Sequence, residues 1–316
     1  MSRAPLEHGA STEAAATPGA LGAVWRAARP PFLLLTPACV LLGYASAVRT
    51  EGAAAVETMR AFVVLAGALT AHAAVNLENE YHDFESGLDA MTSRTPFSGG
   101  SGTLPACPSA AAAVRRAAIL AVAFTVVIGL YLVRTAGPAL LVIDAIGVAI
   151  IASYTRFITR RPLVCLVAPG VGFGLVMVVG THVALTGKLA SLPVALSLVP
   201  TALVSNLLLL NQFPDMEADA RVGRRHLLIT LGVTAGVRAY AALAAVAAVV
   251  IVALAASGWV PVAALSALGP LSLSVVALGG ASHHGAAIGR HPQYLAVNVL
   301  VALLTPMVLG VTLLAA

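Results

Sequence analysis

Long apolar runs are the feature that most restricts what this chain can fold into. The sequence is 59% hydrophobic and only 10% charged, and nine of its runs are long enough to cross a bilayer as a helix. They lack the alternation of polar and apolar residues that is typical of barrel strands. The runs lie at about 31–49, 60–77, 114–133, 138–155, 163–184, 192–210, 236–257, 259–279 and 293–315. The sequence therefore predicts an all-α polytopic membrane protein with nine transmembrane helices.

The remainder of the chain adds one short terminal segment. Residues 1–22 are polar, rich in Ala, Ser, Thr and Pro, and lack the basic start and apolar core of a signal peptide. We expect a disordered tail there, followed by a single nine-helix domain over residues 23–316. Cys39, Cys107 and Cys165 have no paired spacing, so they are expected to be small buried residues and not a disulfide framework or a zinc site.

The basic residues predict the orientation in the membrane. With nine spans, the N-terminus and the loops after spans 2, 4, 6 and 8 lie on one side, which carries fourteen arginines, whereas the other side has only Arg49, Arg60, Arg134 and Lys188. Basic residues concentrate on the cytoplasmic side, so we expect a cytoplasmic N-terminus and a C-terminal Ala316 on the far side of the plasma membrane. The net charge of +5 is then a feature of topology and does not indicate nucleic-acid binding.

Two short segments hold most of the acidic residues. Eight of the thirteen Asp and Glu residues lie at 78–89 and 215–219, each directly after an apolar run. Both segments contain Asn-x-x-x-Asp, as Asn79 with Asp83 and as Asn211 with Asp215, and the second extends to Asp219. Residues four apart share one face of a helix, and acids near lipid usually serve a function. Two matched motifs therefore predict one divalent-metal site assembled from two parts of the chain.

The chemistry of these motifs suits a metal–diphosphate complex. Carboxylate and amide oxygens favour Mg²⁺, which takes its remaining ligands from water and phosphate. Arginine matches phosphate oxygens in bidentate geometry. The arginines on the predicted cytoplasmic side that we consider for this role are Arg94, the group Arg156, Arg160 and Arg161, and the pair Arg224 and Arg225. Arg115, Arg116 and Arg238 are more simply explained as topology determinants.

The motifs also carry a family resemblance. Asn-Glu-Tyr-His-Asp from Asn79, Arg-Thr-Pro-Phe-Ser-Gly-Gly-Ser-Gly from Arg94, and Asn-x-x-x-Asp-x-x-x-Asp from Asn211 followed by Gly-Arg-Arg resemble the UbiA superfamily of intramembrane prenyltransferases. The resemblance runs from about Trp25 onward. The loop after the first motif is most similar to the branch that prenylates 1,4-dihydroxy-2-naphthoate in menaquinone synthesis. The implied fold is a nine-helix bundle with a central cavity open to the cytoplasmic side.

The resemblance implies a reaction and roles for individual residues. The expected activity is Mg²⁺-dependent transfer of a prenyl group from a prenyl diphosphate to an aromatic acceptor through an allylic carbocation. The implied metal ligands are Asp83, Asp215 and Asp219, assisted by Asn79 and Asn211. The implied diphosphate-binding residues are Arg94, Arg156, Arg224 and Arg225. Tyr154 is similar to a family tyrosine near the acceptor, and Asp89 is implied to help activate the acceptor hydroxyl.

Three residues depart from the family pattern, and one acid lies apart from both motifs. Glu80 stands where Asp is usual, Arg224 where Lys is usual, and His226 where a small hydroxyl residue is common. We expect Glu80 to be solvated. Asp144 lies alone inside an apolar run and is expected to be neutral or to form a hydrogen bond with a neighbouring helix.

Three other functions fit parts of the pattern. A membrane terpene cyclase of the same fold would ionise the same diphosphate without an external acceptor, and a related transferase would use another acceptor. A polytopic transporter would place its acidic residues near the bilayer midplane, whereas these acids lie at the ends of spans. Prenyl transfer to an aromatic acceptor is therefore the principal hypothesis.

Overall fold

The structure is a computed structural model that describes residues 19–316. It consists of helices joined by loops, with no strand in the described range. A short N-terminal helix, Ala20–Ala27, begins inside the segment that was predicted to be a tail, so the helical part starts earlier than expected. The rest of that predicted tail, residues 1–18, lies outside the described residues.

Nine longer helices follow the N-terminal helix, and their positions agree with the nine apolar runs. Their bounds are α1 Pro30–Glu51, α2 Thr58–Glu85, α3 Pro108–Ala136, α4 Ala139–Ser153, α5 Pro162–Thr186, α6 Ser191–Arg221, α7 Leu227–Ala256, α8 Val262–Arg290 and α9 Pro292–Leu314. Within the described residues, eight of these helices are long and apolar enough to cross a membrane. The all-α, multi-pass architecture is thus confirmed.

Helix α4 differs from the other eight in its length. It has 15 residues, which at 1.5 Å per residue extend over roughly 22 Å, less than the roughly 30 Å of a hydrocarbon core. That α4 crosses the whole membrane, as a count of nine complete spans requires, therefore stays a prediction.

Helix α6 lies at the centre of the bundle. It packs against α5, α7 and α9, and 72% of its most apolar window is buried. The largest apolar core joins residues of α6 to residues of α1, α7, α8 and α9. A central helix of this kind holds its C-terminal motif in a fixed position relative to the helices around it.

Helix α5 approaches α6 closely because the residues at their contact are glycines, Gly170 and Gly174. A Cβ on Gly170 would lie 2.0 Å from the carbonyl oxygen of Thr201, and one on Gly174 would lie 2.0 Å from the Thr201 hydroxyl oxygen. The segment Gly172–Val179 is π-helical, a rare conformation that occurs often at functional sites. Here the widened turn forms part of a cavity wall.

The helix ends determine where the acidic motifs lie. Helix α2 continues to Glu85 and ends before Gly87, whose backbone is left-handed (φ 75°). Asp89 therefore lies beyond the end of α2. Helix α6 continues to Arg221 despite the internal Pro214. Helix α7 begins at Leu227, earlier than the predicted position near 236, and is interrupted at Gly232, where φ is 82°.

Candidate active site

Two adjoining cavities lie where α2 and α6 end. The smaller, about 100 Å³, is lined by four carboxyl side chains of the two acidic segments; we call it the polar chamber. The larger, about 510 Å³, is walled mainly by aliphatic side chains of α1–α6 and α9; we call it the apolar cavity. Six residues line both compartments and define the junction between them: Arg29, Asn79, Phe97, Tyr154, Leu208 and Asn211.

Arg224 connects the two acidic motifs inside the polar chamber. One terminal nitrogen of its guanidinium donates to Asp83 of α2, and the other donates to Asp219 of α6 at 2.9 Å. Asp83 also accepts a hydrogen bond of 2.9 Å from the Asn79 amide, as expected for residues four apart on one helix face. Burial alone would lower the pKa of Arg224, but the carboxylates of Asp83 and Asp219 outweigh burial and raise it. Arg224 therefore stays charged at any physiological pH.

The remaining carboxylates of the second motif have partners from other segments. Oδ2 of Asp219 lies at hydrogen-bond distance, 3.1 Å, from Nε2 of the buried His226. Asp215 accepts a hydrogen bond of 3.1 Å from the backbone N–H of Gly99, in the loop that follows the first motif. The second motif is thus held by the start of α7 on one side and by this loop on the other.

The glycine-rich loop, residues 92–102, has a backbone that side chains would obstruct. Gly99, Gly100 and Gly102 all have positive φ, between 71° and 78°, a region that glycine enters at little cost. A Cβ on Gly100 would lie 2.6 Å from Oδ1 of Asp89, and one on Gly102 would overlap the guanidinium of Arg94. The glycines therefore let the loop lie against Asp89 and let Arg94 fold across it.

Glu80 ties three segments together and corrects a prediction. Its side chain is fully buried, not solvated as expected. It accepts a hydrogen bond of 3.1 Å from Arg29, which follows the N-terminal helix, and hydrogen bonds from the backbone N–H and the hydroxyl of Ser101. The longer side chain at this position lets it reach both partners, so Glu80 acts here as a structural anchor of the chamber wall.

Asp89 is a buried carboxyl in the short helix Leu88–Met91, outside the membrane-spanning segments. Burial raises its pKa to about 7, and the negative charges of Glu80 and Asp83 add to the increase. Its Oδ2 atom is buried and has no hydrogen-bond partner among the described residues. A carboxyl with these properties exchanges a proton readily near neutral pH.

The donor atoms of the chamber suit a magnesium ion that arrives with phosphate. The described residues contain no group of three His, Cys, Asp or Glu side chains that could hold a metal ion by itself, and Arg224 pairs with both Asp83 and Asp219. However, Oδ1 of Asp215 and Oδ1 of Asn211 are buried without a partner within residues 19–316. Mg²⁺ needs only one or two protein carboxylates when phosphate oxygens complete its coordination, so these residues fit it.

The wall of the apolar cavity contains one unpaired acid. Asp144 of α4 lines the cavity and packs beside Gly129, since a Cβ there would lie 2.9 Å from Oδ2. That oxygen is buried and has no hydrogen-bond partner in the described part of the chain. The predicted hydrogen bond to a neighbouring helix is therefore absent from this region. His72, also in the wall, is paired with Thr36 at 2.9 Å.

The structure brings together most of the predicted site residues. Those lining the polar chamber are Asn79, Asp83, Asp89, Tyr154, Asn211, Asp215, Asp219 and Arg224. Arg94, Arg156 and Arg225 are exposed and do not line it. No site role was predicted for Arg29 from the sequence. Its position before Pro30 and Pro31 indicates only that a helix begins there. Its contact with Glu80, 51 residues away, depends on the folded chain.

The fold and this two-compartment site define a multi-pass membrane enzyme, and comparisons with known proteins identify its class. Residues 34–297 match the UbiA prenyltransferase family, so the chain belongs to this family and is a prenyltransferase. The 1,4-dihydroxy-2-naphthoate octaprenyltransferase of Bacillus subtilis (strain 168) is 29% identical over 258 residues, which cover 78% of this chain and 79% of that protein.

Two solved structures show the same fold. A UbiA homologue from Aeropyrum pernix K1, in its apo form, matches with a TM-score of 0.68 at 18% identity, covering 90% of this chain and 98% of that one. A UbiA homologue from Archaeoglobus fulgidus bound to DMAPP and Mg²⁺ matches with a TM-score of 0.65 at 14% identity, covering 93% and 99%. The predicted family resemblance and helical architecture are therefore confirmed.

Proposed function

We propose that this prenyltransferase transfers the prenyl group of a prenyl diphosphate to 1,4-dihydroxy-2-naphthoate, in quinone biosynthesis. The observation that carries the proposal is the junction of a charged chamber with an aliphatic cavity of about 510 Å³. This arrangement suits a substrate with an anionic head and a hydrocarbon tail. The names of similar proteins support both substrates, since one is a naphthoate octaprenyltransferase and another was solved with DMAPP and Mg²⁺.

The diphosphate head would lie in the polar chamber. Arg224 is positioned to turn part of its guanidinium from Asp83 and Asp219 toward phosphate oxygens. Mg²⁺ would be held by Asp83, Asp215 and Asp219 with Asn79 and Asn211, and it would neutralise charge that develops on the leaving diphosphate. The prenyl chain would extend along the aliphatic walls, where the burial of each methylene contributes about 0.8 kcal/mol.

The bond that breaks would then lie at the junction of the two compartments. The carbon–oxygen bond of the donor breaks and the diphosphate leaves with the electron pair, so that an allylic cation remains on the prenyl chain. A ring carbon of the acceptor forms the new carbon–carbon bond, and the ring then loses a proton or carbon dioxide from that carbon, which restores its aromaticity. Aliphatic walls keep water from the cation until the ring captures it.

Two residues are proposed to act on the acceptor. Tyr154 lies at the junction and lines both compartments, so its ring would pack beside the acceptor. Asp89 has a pKa of about 7 and would accept the proton of an acceptor hydroxyl, which makes the ring more electron-rich.

The polar chamber and both motifs are proposed to face the cytoplasm from the plasma membrane, as the distribution of basic residues indicates.

A product analysis tests the proposed function. The purified full-length protein in lipid nanodiscs is incubated with geranyl diphosphate and 1,4-dihydroxy-2-naphthoate under anaerobic conditions, with and without EDTA. We expect a prenylated naphthalene by mass spectrometry that disappears in EDTA and returns with added Mg²⁺. Release of diphosphate together with a cyclic or hydroxylated terpene, and no prenylated ring, would instead identify a cyclase.

A further inference from the structure

Arg29 combines three properties that the proposed reaction does not yet explain. It lies between the N-terminal helix and α1, and it is the one cation among the six described residues that line both compartments. It also has an unusual backbone and an incompletely paired side chain. Each of these properties indicates that the fold holds the guanidinium of Arg29 at a particular position beside the junction.

The backbone of Arg29 is held in a conformation that is unfavourable for its residue type. Its φ of 53° and ψ of 63° are left-handed, and it is the single non-glycine residue with positive φ in the range 19–316. The preceding carbonyl, of Ala28, accepts a hydrogen bond of 3.0 Å from Asn76 of α2. Such conformations are unfavourable for a residue with a side chain, and they cluster at functional sites, where the surroundings enforce them.

The side chain of Arg29 keeps donors available. One terminal nitrogen binds Glu80 at 3.1 Å, and Ser101 binds the same carboxylate from the other side. The Nε atom is buried and has no partner in the described part of the chain. Arginine has five N–H donors, and a buried donor without an acceptor is costly. An anionic ligand at the junction would supply the missing acceptor.

The charge at this place restricts what that ligand can be. An uncompensated positive charge at the junction would disfavour an allylic cation there, and Glu80 together with a bound anion would compensate the charge of Arg29. The diphosphate already has Arg224 between the two acidic motifs. Next to Arg29, Pro31 and Phe32 line the apolar cavity, so an aromatic ring has surfaces to pack on. A planar guanidinium also matches a carboxylate in bidentate geometry.

We propose that Arg29, positioned by Glu80, recognises a carboxylate on the aromatic acceptor and thereby selects carboxylated acceptors. This inference rests on the proposed prenyl transfer to an aromatic acceptor and assigns the residue that sets acceptor specificity. Arg29 is then a binding residue for the acceptor, and Glu80 is a positioning residue that acts through it.

The test pairs a change in the protein with a change in the acceptor. The acceptors are 1,4-dihydroxy-2-naphthoate and 1,4-naphthalenediol, which lacks the carboxylate, each with geranyl diphosphate. The variants are Arg29→Gln and Arg29→Lys, and Arg26→Gln is the matched control because Arg26 is exposed on the same N-terminal segment. The double variant Arg29→Gln with Glu80→Gln removes the unpaired buried carboxylate that the single substitution leaves. The full-length protein in nanodiscs is used throughout.

A loss confined to the carboxylated acceptor is the expected result. Charge-assisted hydrogen bonds contribute about 1.5–3 kcal/mol, so Arg29→Gln should lower kcat/KM for the naphthoate by about 10- to 100-fold and change that for the diol by less than about 3-fold. The double variant should show the same selectivity, and Arg29→Lys should recover part of the loss. The KM for geranyl diphosphate should stay unchanged, and Arg26→Gln should resemble the parent protein. The naphthoate alone should raise the Tm of the parent but not of the double variant.

Other outcomes overturn the inference and are distinguishable from failure of the proposed function. An equal loss with both acceptors, together with a higher KM for geranyl diphosphate, would show that Arg29 binds the diphosphate. Unchanged kinetics in every variant would show that it is only structural, and prenyl transfer would still stand. If the parent protein prenylates neither acceptor, the proposed function fails and the inference fails with it.

Discussion

Single residues of this site are connected by ion pairs between distant parts of the chain. Asp83 and Arg224 are 141 residues apart in sequence, yet they form a direct ion pair. Arg224 also binds Asp219, five residues before it. One guanidinium therefore holds the C-terminal ends of α2 and α6 together and compensates two buried negative charges, which are costly to leave unpaired.

Substitution of Arg224 should affect both the stability and the use of the donor. Arg224→Ala removes the proposed diphosphate contact and leaves two buried carboxylates without a cation. We expect the KM for geranyl diphosphate to rise by about one to two orders of magnitude, since such contacts contribute about 1.5–3 kcal/mol, and the Tm to fall. Arg115→Ala is the control because this arginine is exposed and lines neither compartment. Equal, small effects of both substitutions would mean that the two arginines act only as topology determinants.

The pKa of Asp89 leads to a prediction about pH. A pKa of about 7 means that the deprotonated fraction rises from about one tenth at pH 6 to about nine tenths at pH 8. If Asp89 accepts the acceptor proton, kcat should increase over this interval, and Asp89→Asn should abolish the increase together with most of the activity. A flat profile in the parent protein between pH 6 and 8 would remove Asp89 from the proton transfer.

The same carboxyl should influence stability with a defined sign. Its pKa in the folded protein lies above the value of about 3.9 for an unfolded chain, so folding favours the protonated form. The stabilising contribution is complete below pH 4 and is lost as pH rises through 7. We therefore expect Asp89→Asn to have a higher Tm than the parent at pH 8, and this difference should become smaller as the pH falls from 7 toward 4, measured in the same nanodiscs.

At the scale of elements, the glycine-rich loop is the part that closes the polar chamber. It reaches the second motif through the N–H of Gly99 and reaches α2 through Ser101. Both contacts depend on backbone angles that only glycine adopts at low cost at neighbouring positions. The loop is therefore a structural component of the site, even though its own side chains contribute little charge to the chamber.

Alanine substitutions at two glycines distinguish the effect of backbone strain from the effect of a close contact. Gly100 and Gly87 both have φ near 75°, but a Cβ on Gly100 would lie 2.6 Å from Asp89 whereas one on Gly87 would meet nothing within 4 Å. Both alanine variants should lose about 1–2 kcal/mol of stability. Only Gly100→Ala should also lower kcat, by displacing Asp89. Similar activity of the two variants in the naphthoate assay would contradict the proposed role of this contact.

The sequence predicted most helices and motifs but not the contacts that join them. Apolar runs and the four-residue spacing of Asn79 and Asp83 are local patterns, and the structure confirms that both residues share one helix. The fully buried state of Glu80 depends on Arg29 and Ser101, which approach only in the folded bundle. Arg156 is exposed, which the sequence could not show, because a basic loop next to a site does not reveal which way each side chain points; its role in diphosphate binding stays a prediction.

For the whole molecule, the distribution of basic residues predicts the orientation in the membrane. Fourteen basic residues on one side against four on the other predict a cytoplasmic polar chamber. In a background without the three native cysteines, Ser93→Cys should react with an impermeant maleimide only after cells are opened, and Ala316→Cys should react in intact cells. Labelling of Ser93→Cys in intact cells would show that the orientation is the opposite one and that the acidic motifs lie outside the cell.

The assembly of one site from α2 and α6 leads to the strongest prediction about activity. Neither motif alone offers enough charge for a diphosphate with magnesium, and Asp83 and Asp215 come from helices that are far apart in sequence. Asp83→Asn and Asp215→Asn should each lower kcat by orders of magnitude, and the double variant should be little worse, because residues that act as one unit are not additive. All three should keep a cooperative thermal transition, since the bundle packs through other residues. Full turnover in EDTA, or by either single variant, would show that the two motifs do not form one magnesium-dependent centre.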